Sequence, residues 1–212
     1  MRKTQFSNNE CYHIYNRGVD KREVFSNPDN YARFLLSLQE FNRVDPIGGI
    51  YQNSFKKDDL ATKSLSKNKL VEIIAYCLNP NHYHLILKQL RKDGISIFMR
   101  KAGSGYSMYY NNKQKRSGSL FQGPFKSVHI DSNEYLLYVS AYVNCNSEIH
   151  KIHKADNYKW CSFPEYIKNQ NGLCNKKIIL GQFKNKQEYA NFAKINAKEM
   201  KKKKELAKFI LE

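Results

Sequence analysis

Apolar residues along the chain alternate between a period of two and a period near 3.6, and each change of period marks a change of element. Cys11-Tyr-His-Ile-Tyr-Asn-Arg17 is rich in aromatic and β-branched residues and stops at Gly18, which predicts a strand. Asn27-Pro28-Asp29 opens a helix with proline in the first turn, and Tyr31, Phe34, Leu35, Leu38 and Phe41 recur at helical spacing before Pro46. From about residue 48 to 69 the chain is polar and weakly periodic, the pattern of a mobile insertion. Val71 to Leu78 reads as a mostly buried strand and His84 to Lys88 as the next. A second helix runs from Gly94 to about Asn112. The basic turn Lys113–Gly118 follows, then an irregular approach, Leu120–Phe125, to the strand Lys126–Ile130. Asp131 or Ser132 caps a third helix, with Glu134 in its first turn, that runs to about Asn146.

The order β-α-β-β-α-β followed by a helix predicts an α+β fold, a ferredoxin-like sheet with helices on one face. Two parts are expected: a domain over residues 1–170 and a basic, mainly helical C-terminal extension over 171–212. Asn157–Pro164 holds the single tryptophan and is expected to pack back on the core. From Gln182 a long or broken basic helix carries an apolar stripe of Tyr189, Phe192, Ile195, Met200, Leu206 and Ile210.

Within this frame the most informative residues are His82-Tyr83-His84, which run straight into the apolar Leu85-Ile86-Leu87. On a strand His82 and His84 share one face and Tyr83 takes the other. Two adjacent imidazoles make half a site for a divalent metal, and Asn79-Pro80-Asn81 places the pair where a turn enters the sheet. Two histidines bonded locally on a strand would give the same spacing.

Charge changes the picture of the partner. With 36 Lys+Arg against 19 Asp+Glu, the formal net charge is +17. The excess is interleaved with 15 Tyr and 12 Phe, which suits phosphates and stacked bases better than a membrane surface. No run is long enough for a transmembrane helix, and the N-terminus lacks a signal peptide's apolar core. Five cysteines without a Cys-x-x-Cys argue against a disulfide framework or zinc finger and fit a reducing cytoplasm.

On the third helix Leu136, Val139 and Val143 form a core stripe, and Tyr138, Tyr142 and Asn146 a second one at i, i+4 and i+8. Aimed at the histidines, the second stripe would offer a phenol as nucleophile and a carboxamide oxygen as third metal ligand.

At this point four blocks resemble one family, the HUH single-tyrosine transposases (histidine, bulky hydrophobic residue, histidine), in their REP-associated branch. They are Tyr12–Gly18, Ala75–His84 with Tyr83 in the hydrophobic slot, Ser117–Lys126, and Glu134–Asn146, followed by Tyr158–Ser162. The resemblance spans roughly residues 10 to 168. It departs after Asn146, where Ser147 stands in place of the family's usual proline. It implies a divalent metal, Mg²⁺ or Mn²⁺, held by His82, His84 and Asn146, with Tyr142 as nucleophile. The expected reaction is cleavage of single-stranded or hairpin-forming DNA, leaving a 5′-phosphotyrosine and a 3′-hydroxyl that can later transfer a strand. Lys113, Lys115, Arg116 and Lys126 are the expected backbone contacts. The tail would dock on the core or on a second subunit, as in a homodimer.

Three other readings compete. Histidine-triad nucleotide hydrolases would need a third histidine at position 86, which is Ile86. A replication-initiation protein or relaxase would normally be longer. A non-catalytic binder of single-stranded or hairpin nucleic acid would keep the fold and charge and make the histidines incidental.

Overall fold

The computed structural model describes residues 4–45, 47–50, 68–168 and 170–209. Most of the expected insertion, residues 51–67, therefore lies outside the described residues. The elements run β1 (Cys11–Arg17), α1 (Pro28–Glu40), β2 (Val71–Asn79), β3 (His82–Gln89), α2 (Gly94–Lys113), β4 (Lys126–Ile130), α3 (Asn133–Asn144), α4 (Asn146–Ile149), α5 (Phe163–Ile167), α6 (Lys177–Leu180) and α7 (Lys186–Phe209). The four strands form one antiparallel sheet in the order β2-β3-β1-β4, so the βαββαβ pattern read from the sequence is the observed one.

Local chemistry sets the boundaries. The Asn27 side chain accepts from Asn30 N–H at 3.1 Å to start α1, with Pro28 at its first position. At the start of α3 the capping side chain is Ser132, which accepts from Tyr135 N–H at 3.2 Å. The β2–β3 hairpin turns through Pro80-Asn81, whose carbonyls accept from Val24, Phe25 and Gly18 N–H at 2.8–2.9 Å. That turn is tied down on both sides.

Alternation sorts the sheet's side chains into two cores. Tyr12, Ile14, Tyr83, Leu85 and Leu87 face α1 and α2, where Tyr83 lies 5.1 Å from Phe34 and 5.6 Å from Phe121 between ring centroids. Cys11, Ile74, Cys77 and Ile86 face the other way. The expectation of helices on one face holds for the two crossover helices alone; the second face is covered by α3 and the C-terminal helices. The reason is that β2 and β3 are apolar on both faces, and a bare second face would leave Ile74, Cys77 and Ile86 in water.

Residues 158–162 run along the outer side of β2. Leu78 N–H donates to Trp160 O at 2.8 Å and Ser162 N–H to Tyr76 O at 2.9 Å, while the Trp160 ring stacks on Tyr31 at 4.7 Å. A potential open edge is covered. The inward stripe of α7 is Tyr189, Ala193, Ala197 and Met200, whereas Ile195 is 63% and Leu206 62% exposed. Of the stripe expected, Tyr189 and Met200 face inward, Ile195 and Leu206 do not, and Ile210 lies outside the described residues; the small Ala193 and Ala197 complete the buried face against the core. All five cysteines are free thiols, and among the described residues no helix is long and apolar enough to cross a membrane.

Candidate active site

His82 and His84 point, as the alternation requires, to the face opposite Tyr83, and the register of the sheet decides their neighbours. His84 lies between Tyr15 of β1 and Cys77 of β2, and His82 between Arg17 and Asn79. Both histidines are buried, as is His13 two positions along from Tyr15. Above them α3 delivers Tyr142, its ring edge-on at 5.3 Å from His84 and 5.9 Å from His13. A cavity of about 260 Å³ opens over this group, lined by His82, His84 and Tyr142 together with Tyr15, Arg17, Gln122, Lys126 and His150. Gln122 reaches it through the loop at Gly123 (φ 71°), a left-handed conformation that favours glycine, and Asn16 Nδ2 holds that loop by donating to Gly123 O at 3.0 Å.

Hydrogen bonds fix the imidazoles. His82 Nδ1 lies 2.6 Å from Asn81 Oδ1, an acceptor, so the proton belongs on Nδ1 and the Nε2 lone pair faces inward. Asn146 Oδ1 lies 3.4 Å from that Nε2. Two acceptors thus converge, bridged by Asn79 Nδ2, which lies 2.9 Å from His82 Nε2 and 2.6 Å from Asn146 Oδ1. Asn146 Nδ2 is buried with no hydrogen-bond partner among the described residues, an uncompensated cost of the sort that collects at functional sites. His84 Nδ1 meets His13 Nε2 at 2.8 Å; the tautomer with the proton on His84 Nδ1 leaves its Nε2 as a lone pair.

Burial sets the protonation states. Desolvation pushes His13 and His82 down to about 4 and His84 well below its ordinary value, with the His13 charge adding to the last effect. All three are neutral at pH 7, as metal ligands and their supports must be. Burial raises the Tyr142 phenol, an effect that its hydrogen bond with Asn146 opposes.

The donor set suits a divalent cation: two neutral imidazoles, each with Nδ1 engaged by a neighbour, and a carboxamide oxygen against His82 Nε2. Among the described residues no three His, Cys, Asp or Glu side chains form a cage. A metal here would take its remaining ligands from DNA or water and would displace the Asn79 amide.

The structure brings Tyr142, Asn146, His82, His84 and Lys126 together. Tyr138, 40% exposed, stands outside the cavity lining. So do Lys113, Lys115 and Arg116: Lys113 pairs with Asp29 at 3.0 Å and Arg116 is held by Ser119 O and Asn111. Sequence reasoning missed His13, Tyr15, Arg17 and His150. The first three alternate along β1, and His150 continues the stripe Tyr142, Asn146 by one more turn. Both signals were present in the spacing. The departure after Asn146 also has a visible outcome: the helix breaks at Cys145 (ψ 13°) and α4 restarts at Asn146, keeping that side chain turned to His82.

Residues 53–146 match the family described as Transposase IS200 like. No match is found among the curated proteins. Among solved structures, that of the REP-associated tyrosine transposase bound to a REP hairpin superposes with a TM-score of 0.56 at 12% identity, covering 79% of this chain and 84% of that one; at such identity the likeness is one of fold. Residues 53–146 are thus similar to the IS200-like transposases, and the fold is one shared with the REP-associated tyrosine transposase.

Proposed function

We propose that this protein is a metal-dependent endonuclease and strand transferase acting on single-stranded DNA at hairpin-forming ends, with Tyr142 as nucleophile. The observation that carries the reading is the meeting of Tyr142, His82 and His84 around one cavity of about 260 Å³, with Asn146 Oδ1 buried behind them 3.4 Å from His82 Nε2. The hairpin is suggested by the REP hairpin that the structurally similar transposase binds.

In this mechanism Arg17 and Lys126 draw the DNA backbone to the cavity, and Tyr15 offers a ring on which a base can stack. The Tyr142 oxygen attacks the scissile phosphorus, the P–O3′ bond breaks, and the departing 3′ oxygen takes up a proton from water to become a hydroxyl, balancing the proton that the phenol gives up to water. The phenol, raised by burial, must lose its proton as it attacks. A divalent cation held by His82, His84 and Asn146 would supply Lewis-acid stabilisation of the charge developing on the phosphate. His13 holds His84, and Asn81 holds His82, in the tautomers that such ligation needs.

The test is a denaturing gel for a covalent protein–DNA adduct on a hairpin-flanked single-stranded oligonucleotide, with Mg²⁺ or Mn²⁺. Wild-type protein should form it. Tyr142→Phe should bind the DNA normally and form none, and Tyr138→Phe should form it at the normal rate. An adduct that survives Tyr142→Phe, or excess chelator, overturns the reading.

A further inference from the structure

The C-terminal helix carries one lysine where an apolar residue would continue its buried stripe. Tyr189, Ala193, Ala197 and Met200 are spaced four, four and three apart, and the next inward position, four further on, is Lys204. Its Nζ lies 2.8 Å from His150 Nδ1. The His150 ring lines the catalytic cavity and stands 4.9 Å from His82. Polar contacts on either side set the end of the helix in register: Lys194 pairs with Glu148 at 2.7 Å and Asp156 at 2.8 Å, and Lys151 with Glu205 at 2.7 Å. Lys202 and Lys203 are exposed and Lys201, like Lys204, is half-buried, but it is Lys204 whose ammonium meets His150.

We propose that Lys204 and His150 together form a seat for the non-bridging oxygens of the scissile phosphate, so that the C-terminal helix completes the active site. An ammonium has no lone pair, so Lys204 can only donate to Nδ1, and neutral His150 then carries its proton on Nε2 as a donor at the cavity wall. A positive charge close by strengthens that donor and itself attracts phosphate. A lysine on a buried stripe also needs a reason. Holding the helix alone would be done as well by the outer ion pairs already present.

The inference rests on the proposed cleavage reaction, and its test separates the two. Single-turnover adduct formation is measured at saturating DNA for wild type, Lys204→Met, Lys204→Arg and the exposed control Lys202→Ala. One oligonucleotide carries a normal scissile phosphate and a second a neutral methylphosphonate there. Absence of adduct with wild type would sink the cleavage reading itself. If wild type reacts, Lys204→Met should slow the normal substrate about 100-fold with unchanged thermal melting, yet slow the methylphosphonate less than about threefold. Lys204→Arg should recover most of the rate, and Lys202→Ala should match wild type. An equal loss on both substrates, or no loss, overturns the seat. If Lys204→Met unfolds the helix, His150→Gln carries the same two-substrate comparison with the helix stripe intact.

Discussion

At the residue scale the site depends on keeping three imidazoles dry and neutral. His13 and His82 titrate near 4 in the folded protein and near 6.5 when unfolded. Between those values the unfolded chain binds protons that the folded one does not, so stability falls as pH drops from about 6.5 to about 4 and levels off below. His13 and His82 each contribute up to about 3 kcal/mol to that loss, at 1.36 kcal/mol per pH unit. Thermal melting of metal-free protein from pH 7 to pH 4 should show the decline, and His13→Asn should flatten it. A melting temperature independent of pH over this range would mean that these rings are not buried as neutral groups. His13 has a second expected effect through its bond to His84 Nδ1: His13→Ala should weaken Mn²⁺ binding about 10- to 100-fold by calorimetry. Unchanged affinity would show that His84 is not held by His13.

Among the elements, α3 does two jobs with its two sides, and the polar contacts between α3, α7 and the 158–162 segment hold it in place. Tyr189 of α7 accepts from Asn144 Nδ2 at 2.6 Å and approaches Ser140 Oγ at 3.2 Å. Ser162 Oγ lies 2.5 Å from Asn144 Oδ1 and also accepts from Tyr76 N–H of β2 at 2.8 Å. Tyr189→Phe leaves the buried Asn144 amide short of an acceptor and should cost about 1–3 kcal/mol in urea unfolding. A loss below about 0.5 kcal/mol would show that water or a rotated amide replaces the bond. The caps of α1 and α3 and the core stripe Leu136, Val139, Val143 were legible as spacing, because capping and 3.6-residue periodicity are local. Of the buried stripe of α7, Tyr189 and Met200 were legible and the two alanines between them were not. Its members Ala193 and Ala197 are weak hydrophobic signals, and only the close approach to α3 selects them over Ile195 and Leu206.

For the whole molecule the charge of +17 outlasts the few ion pairs formed among the described residues, and it governs binding to any polyanion. Contact with about four phosphates of a single strand would give a log–log salt slope near −2.8, so raising salt fourfold should weaken binding roughly 50-fold. A flat response in an anisotropy titration would mean that the excess charge lies away from the DNA. The sequence alone determined the βαββαβ order, the shared face of His82 and His84, the alignment of Tyr142 with Asn146, and the charge of +17. Each of these depends on spacing along one element or on composition, which folding leaves unchanged. Only the tertiary structure decided that β1 lies beside β3, which puts His13, Tyr15 and Arg17 at the site. It also decided that the sheet is covered on both faces and that Lys204, 120 positions after His84, reaches His150. Those placements follow from strand register and from helix packing on a two-sided sheet, which join residues far apart in sequence and leave no periodic trace in either segment.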